Sequence, residues 1–155
     1  MTDLQNIKAR SLARIAAIQS IYAVRDMIAN ESKDVSLFYN KIIHRLSENK
    51  KPFLAETNDN TMSEQLFTSL CVITYANLQT ITPDILLQCK NTAIEIDDLD
   101  IAILICGVAE LQYLDTPRKV VINEYIEIAK FFDTDFRFIN GILDTFNAVK
   151  QLEVI

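Results

Sequence analysis

The sequence contains few glycine, proline and histidine residues, and each shortage excludes a type of structure or site. Only two glycines and three prolines occur in 155 residues. Sheet proteins and doubly wound folds need many more of these residues in their turns, so the composition predicts an all-α fold. Two glycines are also too few for a loop that cradles phosphate, which removes one common kind of active site.

Residues with catalytic or metal-binding chemistry are equally sparse. The one histidine, His44, falls on the polar face of a predicted helix with no second ligand nearby, which is typical of an exposed residue. No cysteine pair and no cluster of histidine and carboxylate has metal-ligand spacing. No motif supplies a base for a serine or cysteine nucleophile. The sequence therefore predicts no metal, no cofactor and no enzymatic activity.

Long hydrophobic runs are absent as well. The longest uncharged apolar run, residues 101–109, is about half as long as a membrane span, and no signal peptide is visible. The three cysteines, Cys71, Cys89 and Cys106, are widely spaced in apolar helical runs. Buried, reduced thiols in a reducing cytoplasm fit this pattern. We therefore expect a single cytoplasmic domain, residues 1–155, with no membrane segment.

Charge is unevenly distributed along the chain. Residues 1–51 hold nine Lys and Arg against five Asp and Glu, a net charge of +4. Residues 52–155 hold six against sixteen, a net charge of −10, and the two values give the overall −6. Because phosphate responds to local potential rather than net charge, a basic first third on an acidic body is compatible with nucleic-acid binding.

Apolar spacing predicts about seven helices and no sheet. The first helix runs from near Leu4 to Ile28, and the second from Asp34 to about Glu48. Residues 49–60 form the longest linker, so we expect two sub-bundles, residues 1–60 and 61–155. The starts of the later helices are predicted at capping residues, which are Thr61, Thr82, Asp97, Thr116 and the 133–135 segment.

The first helix places Arg10, Arg14 and Arg25 within an arc of about 60° beside an apolar face. That face consists of Leu4, Ile7, Leu12, Ile15, Ile18 and Tyr22. One interpretation of the arginines is a solvated edge with acidic neighbours in the fold. The other is a stripe that faces phosphate groups, and spacing alone leaves both open.

The second half of the chain predicts a central helix and two amphipathic ones. Residues 99–111 are apolar on nearly all sides, which is typical of a helix in the middle of a fold. Gly107 inside it costs about 1 kcal/mol relative to Ala, so a close helix crossing is expected there and also at Gly141. The helix after Pro117 has an apolar face of Val121, Tyr125, Ile128, Ala129 and Phe132 opposite a polar stripe of Lys119, Asn123, Glu127 and Lys130. Phe138, Ile142, Phe146 and Val149 have core spacing in the last helix.

Two blocks of the sequence, roughly residues 8–24 and 97–150, carry a family pattern. The second block contains Pro117, Lys119-Val120, Ile122-Asn123-Glu124, Glu127, Ala129-Lys130 and the run from Phe138 to Asp144. The first contains Arg10, Ala13-Arg14 and the run from Ile18 to Tyr22, and Glu110-Leu111 precedes a turn. Together these residues resemble the NusB family of bacterial transcription antitermination factors.

The resemblance implies a fold of seven helices in two three-helix bundles packed across each other. It implies a non-enzymatic factor that pairs with a small-subunit ribosomal protein, NusE. The pair would bind boxA-type RNA and join the RNA polymerase antitermination complex, notably in ribosomal RNA operons. Both monomeric and homodimeric members of the family are known, so either state is expected here.

Carried over by position, the resemblance assigns RNA contacts to Arg10, Arg14, Gln19, Arg137 and Phe138. Basic side chains would hold phosphate groups, and an aromatic face would stack under an unstacked base. Phe138 fits this role only if it is exposed, and a core phenylalanine is the open alternative. Asp100 stands where the family has an acidic residue that faces the protein partner.

The first helix departs from the family pattern, since Ser11 and Leu12 stand where further arginines are usual. Fewer phosphate contacts weaken binding and flatten its salt dependence, so the ribosomal partner would supply much of the basic surface.

Two alternative functions remain open. One is a ribosome-biogenesis adaptor that binds the ribosomal protein with little RNA contact. The other is the accessory domain of an RNA methyltransferase, which would need a catalytic domain after residue 155.

Overall fold

The computed structural model describes residues 3–23, 62–90 and 96–147. Every regular element in these ranges is an α-helix, which confirms the all-α prediction. In chain order the helices of these ranges are α1 (Asp3–Ala23), α2 (Glu64–Ala76), α3 (Leu78–Cys89), α4 (Asp98–Tyr113), α5 (Arg118–Phe131) and α6 (Phe136–Leu143). Seven helices were predicted, and the second of them, with His44, lies outside the described residues.

The chain divides into two compact units, Met1–Tyr75 and Ala76–Ile155. The first unit contains α1 and nearly all of α2, and the second contains α3 to α6. The linker predicted at residues 49–60 lies outside the described residues, so the predicted boundary of the sub-bundles stays a prediction.

Helix α1 buries a face of small and branched side chains. Its buried apolar residues are Ala9, Leu12, Ala13, Ile15, Ala17, Ile18 and Ile21. Ala9, Ala13 and Ala17 recur at every fourth position and so form one row of small side chains along the helix. Tyr22, expected on the apolar face, is 37% exposed, because Ile21 fills the buried position at that turn.

Helix α2 is capped by Ser63, whereas the sequence pattern pointed to Thr61, which lies outside the described residues. The Leu66 N–H donates to the Ser63 hydroxyl oxygen at 3.3 Å, which satisfies one of the free donors at the helix start. The Ser63 N–H in turn donates to the Ala9 carbonyl at 3.0 Å. The start of α2 is therefore tied to α1 within the first unit.

Helix α3 corrects a predicted helix start. Thr82 was expected to cap a helix that begins near Pro83, but α3 already runs from Leu78 and carries Pro83 inside it. Proline removes one backbone hydrogen bond from a helix interior. The buried row of α3, which consists of Leu78, Ile81, Ile85 and Cys89, extends on both sides of the proline. Burial of this continuous face outweighs the lost bond.

Helix α4 is the central helix of the second unit, as predicted. Every residue from Ala102 to Leu111 is buried, and α4 packs against α3, α5 and α6. The Asp100 N–H donates to the Asp97 carboxylate at 2.9 Å, and the Asp97 N–H donates to the Asp100 carboxylate at 3.3 Å. This reciprocal capping box confirms Asp97 as the cap of α4.

The two glycines have different surroundings. A Cβ atom on Gly107 would lie 3.0 Å from Leu143 Cδ2 and 3.4 Å from Tyr125 Cγ. Helix α4 therefore approaches α5 and α6 closely at Gly107, which confirms the predicted crossing. Gly141 is exposed, and a Cβ atom there would meet nothing within 4 Å, so the crossing predicted at Gly141 is wrong.

Helix α5 starts one residue later than predicted. Pro117 occupies the N-cap position in an extended conformation, and no side chain caps the helix, so Thr116 is not its cap. The predicted apolar face is confirmed for Val121, Tyr125, Ile128 and Ala129, which are buried, while Phe132 is half-buried. The predicted polar stripe of Lys119, Asn123, Glu127 and Lys130 is exposed.

Helix α5 ends in a Schellman motif, which reverses the chain within a few residues. The Thr134 N–H donates to the Ala129 carbonyl at 2.9 Å, and the Asp133 N–H donates to the Lys130 carbonyl at 3.1 Å. Asp133 has a φ of 57°, in the left-handed region where glycine is usual. The end of α5 therefore holds an aspartate in a strained conformation.

Helix α6 begins at Phe136, three residues after Asp133. The Asp135 carboxylate accepts from the N–H groups of Arg137 at 3.1 Å and Phe138 at 3.2 Å, which confirms the cap predicted in the 133–135 segment. The predicted core residues Phe138, Ile142 and Phe146 are buried, and Val149 lies outside the described residues.

Arg118, the first residue of α5, contacts the far end of the α5–α6 hairpin. Its guanidinium donates to the backbone carbonyls of Phe146 and, at 3.0 Å, Asp144. The Asp144 carboxylate lies 3.9 Å away. One side chain therefore joins the start of α5 to the residues that follow α6.

The cysteines agree with the prediction of buried thiols. Cys71, Cys89 and Cys106 are all buried and none is in a disulfide, and burial raises the pKa of the Cys71 thiol. No single helix in the described ranges has both the length and the hydrophobicity to cross a membrane; α2 and α3 meet those criteria only as a pair broken at Asn77.

Candidate nucleic-acid and partner-binding site

The predicted RNA-contacting residues of the first unit differ sharply in exposure. Arg10 is exposed and Gln19 is half-buried, whereas Arg14 is only 1% exposed. Arg14 lies one helical turn after Arg10, in the stretch where Ala13 and Ile18 are completely buried. A buried guanidinium is stable only when its N–H groups are hydrogen-bonded within the protein. In this conformation Arg14 therefore has no surface with which to contact a phosphate group.

The second unit contributes Arg137 and Phe138, which are adjacent in sequence but not in environment. Arg137 is exposed, while Phe138 is 6% exposed and belongs to the buried face of α6. This burial fits the alternative of a core phenylalanine, because a buried ring has no face available for a base in this conformation. Whether either residue contacts RNA stays a prediction.

Asp100 combines burial with an unsatisfied oxygen. The residue is 8% exposed, and one carboxylate oxygen has no hydrogen-bond partner among the described residues. Burial raises the pKa of Asp100 above its usual value. The hydrogen bond from the Asp97 backbone opposes this rise, and the charges of Asp97 and Asp135 add to it. Asp100 is therefore a carboxylate that a nearby positive charge would stabilise.

Glu110 is a second buried carboxylate, and its environment is different. It is 0% exposed, and the Tyr125 hydroxyl donates to it at 3.0 Å inside the second unit. The sequence indicated Glu110 only as part of a motif and gave no signal for this contact, because its partner lies on the next helix. The pair connects α4 to α5 in the core.

Sequence reasoning also missed a group of cations and aromatic rings where α5 meets α6. Lys130 Nζ lies 4.8 Å from the centre of the Phe136 ring, and Arg137 Cζ lies 5.5 Å from it. Phe131 is next to Lys130 and is 63% exposed. A possible signal was the repeated pairing of a basic with an aromatic residue, Lys130-Phe131 and Phe136-Arg137. We call these four residues the junction cluster.

In the described ranges, no group of three or more His, Cys, Asp or Glu residues could hold a metal ion.

Comparison with known proteins adds a decisive observation. Residues 11–148 match the model of the NusB family. The chain belongs to the NusB family. A relative from Haemophilus influenzae (strain PittEE), named transcription antitermination protein NusB, is 32% identical over 150 residues, covering 93% of this chain and 94% of the relative. A protein of that name from Histophilus somni (strain 2336) is 32% identical over 148 residues, covering 93% of this chain and 94% of the relative.

A further relative of the same name, from Actinobacillus pleuropneumoniae serotype 5b (strain L20), is 31% identical over 141 residues, which cover 89% of this chain and 92% of the relative. The match to the NusB family contains Arg14, Gln19, Asp100, Arg137 and Phe138, while Arg10 lies one residue before it. The resemblance found in the sequence is thus shown across both units of the chain.

Proposed function

We propose that this chain is a transcription antitermination factor that binds boxA-type RNA together with the small-subunit ribosomal protein NusE. It would act without catalysis in the cytoplasm, as part of the RNA polymerase antitermination complex on ribosomal RNA operons. The observation that carries the proposal is the family match over residues 11–148, together with relatives named transcription antitermination protein NusB over nearly the full chain.

The proposed fold completes the all-helical structure described above. It has seven helices in two three-helix sub-bundles, the seventh helix being the one predicted from Asp34 to Glu48. The chain acts as a monomer or a homodimer. The binding tests below use the full-length chain, so their outcome depends on neither the number of helices nor the oligomeric state.

Exposure divides the proposed RNA-binding residues into two roles. Arg10, Gln19 and Arg137 have surface for direct contact, and arginine is well suited to hold phosphate. Arg14 and Phe138 are buried and would support the surface from within. With so few exposed arginines the chain alone would bind RNA weakly, and a basic partner would raise the affinity.

Asp100 supports the proposed protein partner. A buried carboxylate with an unsatisfied oxygen costs free energy in the isolated chain, and such a residue is often retained because it serves a function. The proposed partner would be basic, and a Lys or Arg donor from it would both bond to Asp100 and offset its charge.

The RNA test measures binding of fluorescently labelled boxA-type RNA, and of a scrambled RNA, across a range of salt. Each is measured with and without the ribosomal protein. We expect boxA-type RNA to bind more tightly, most clearly in the presence of the partner. The variants Arg10→Ala and Arg137→Ala should each weaken binding and reduce the slope of log affinity against log salt by about 0.7. Equal binding of both RNAs under both conditions would rule out the proposal.

The partner test compares Asp100→Asn with Asp98→Asn, its exposed neighbour in the first turn of α4. Isothermal titration with the ribosomal protein should show weaker binding for Asp100→Asn and unchanged binding for Asp98→Asn. Circular dichroism checks that both variants fold. If both variants bind like the wild type, Asp100 is not part of the interface.

The burial of Arg14 and Phe138 favours one alternative, a ribosome-biogenesis adaptor that binds the ribosomal protein with little RNA contact. In that case Asp100→Asn would lose activity, whereas Arg10→Ala and Arg137→Ala would have none of the effects described above. The same variants therefore distinguish the two functions.

A further inference from the structure

The junction cluster combines an exposed aromatic surface with two cations on a short, rigid turn. Lys130 and Phe131 form the end of α5, and Phe136 and Arg137 form the start of α6. Of the exposed large hydrophobic side chains in the described ranges, Phe131 has the largest exposed fraction, 63%. Its ring makes an edge-to-face contact with Phe132, with the ring centroids 5.3 Å apart, and most of its surface remains open to solvent.

Cation–π contacts hold the two positive charges beside this surface. Lys130 Nζ and Arg137 Cζ lie 4.8 Å and 5.5 Å from the centre of the Phe136 ring, within the range of a favourable contact. Both cations belong to exposed residues, so their N–H groups can also reach a ligand. Phe136 therefore acts as a common support that sets the separation of the two charges.

The backbone between the helices is fixed from both sides. The Schellman bonds of Asp133 and Thr134 close the end of α5, and Asp135 caps the start of α6. This leaves little freedom in the connection. A ligand that contacts both helix ends would therefore find the cluster already arranged, which reduces the entropy lost on binding.

Acidic groups near the cluster do not cancel its two cations. Glu127 lies 3.3 Å from Lys130, but both side chains are exposed, and an ion pair of this kind is weak and readily exchanged. The Asp135 carboxylate is engaged by two backbone N–H groups of α6. Asp133 remains as an exposed negative charge that opposes an anionic ligand.

The chemistry of the cluster matches one class of ligand best. An acidic peptide would use the cations but would leave the large aromatic surface of Phe131 without a partner. An aliphatic protein surface would use Phe131 but would leave the cations unpaired. A single-stranded nucleic acid offers a flat base and a phosphate within the same nucleotide and so uses both.

We propose that the junction cluster binds a segment of single-stranded RNA, with Phe131 stacking on a base and Lys130 and Arg137 contacting the adjacent phosphates. The inference rests on the proposed function and deepens it. It moves the aromatic contact from Phe138, which is buried, to Phe131, which is exposed. It also adds Lys130 as a phosphate contact and Phe136 as the residue that positions both cations.

The first experiment tests stacking with full-length chain, the ribosomal protein and labelled boxA-type RNA. Phe131→Ala should weaken binding by about 5- to 150-fold, which corresponds to the loss of one base–aromatic stack. Phe131→Trp should preserve affinity, whereas Phe131→Leu should not, because only tryptophan keeps a flat π-face. Val120→Ala, an exposed apolar residue at the other end of α5, is the matched control and should have no effect.

The second experiment uses RNA in which single positions are made abasic. At the position that stacks on Phe131, the abasic RNA should bind the wild type as weakly as intact RNA binds Phe131→Ala. Phe131→Ala should bind this abasic RNA no more weakly than the wild type does. An effect of Phe131→Ala that persists undiminished on every abasic RNA would overturn the stacking role.

The third experiment tests the cations. Lys130→Gln should lower the slope of log affinity against log salt by about 0.7, while Lys119→Gln, an exposed lysine on the same helix, should leave it unchanged. Phe136→Leu should weaken binding without abolishing its salt dependence. The variant keeps Lys130 and Arg137 but removes the ring that holds their side chains in place. Thermal unfolding confirms that each variant is folded.

The outcomes separate the inference from the proposed function. If the wild type binds boxA-type RNA but the Phe131 and Lys130 variants bind equally well, the inference is wrong and the function stands. If the Phe131 variants lose the ribosomal protein and not the RNA, the cluster is a protein interface and the inference is again wrong. If the wild type does not prefer boxA-type RNA under any condition, both are wrong.

Discussion

The middle of α4 and the α5–α6 junction use charged groups in opposite ways. In α4, the Glu110 carboxylate is completely buried and bonds to Tyr125, a partner fixed by the fold. At the junction, Lys130 and Arg137 are exposed and rest on an aromatic ring. The fold determines the partner of Glu110, whereas the partners of Lys130 and Arg137 can exchange with a ligand. The first arrangement serves stability and the second is suited to binding.

The largest expected effect tests how tightly the middle of α4 is packed. Gly107→Leu should destabilise the protein by about 3 kcal/mol, because the added side chain meets Leu143 and Tyr125 at the helix crossing. Urea unfolding followed by circular dichroism measures it. Gly141→Ala is the matched control and should stabilise by up to about 1 kcal/mol, since it gains helix propensity and meets nothing. A Gly107→Leu variant as stable as the wild type would contradict the close crossing.

The next effect concerns the buried carboxylate. Tyr125→Phe removes the hydroxyl that donates to Glu110 and should cost about 2 kcal/mol, because a buried acceptor in the core loses a donor. Tyr113→Phe, at a half-buried position on α4, should change stability by less than about 0.5 kcal/mol. If the two variants behave alike in urea unfolding, Glu110 and Tyr125 do not form a stabilising pair.

A smaller effect tests the turn between α5 and α6, where Asp133 adopts a strained left-handed conformation. Asp133→Gly should stabilise the protein by about 1 kcal/mol, because glycine adopts the left-handed conformation without a steric penalty. Asp133→Ala should give no such gain. Equal stability of all three proteins in urea would show that the turn carries no strain.

The smallest effect depends on pH and concerns the other buried carboxyl group, that of Asp100. The pKa of Asp100 is raised in the folded chain, so its contribution to stability is full in acid and is lost as pH rises through that raised pKa. Asp100→Asn does not titrate, so its stability relative to the wild type should increase from acid to neutral pH. A difference that stays constant with pH would mean that the pKa of Asp100 is unshifted.

Much of the fold could be predicted because burial follows helical spacing. The apolar face of α5 and the all-round burial of α4 were visible in the sequence, and so was the Asp97 cap. The errors occurred where a local signal competes with a tertiary one. A proline usually stands in the first turn of a helix, but Pro83 lies inside α3, because the buried row of α3 extends past it. Gly141 resembles Gly107 in sequence, but only Gly107 has a neighbouring helix against it.

The candidate site was less predictable, because exposure changes between neighbouring positions on one helix. Arg10 and Arg14 are one turn apart, yet only Arg10 is exposed. Arg137 and Phe138 are adjacent with opposite environments. The junction cluster was missed because Lys130 and Phe136 come together only through the turn after α5. The sequence pattern predicts which residue types belong to the candidate site. Tertiary structure decides which of these residues are exposed at the surface.

The contacts of Arg118 have a consequence for how the second unit folds. Its hydrogen bonds join residues 26 and 28 positions apart and so close a short loop that contains the whole α5–α6 hairpin. Short loops lose little chain entropy on closure, and local contacts form quickly. We expect the hairpin to be an early folding nucleus, in which case Arg118→Ala slows refolding more than it speeds unfolding in stopped-flow measurements. The turn that carries the junction cluster would then be complete before α4 is enclosed.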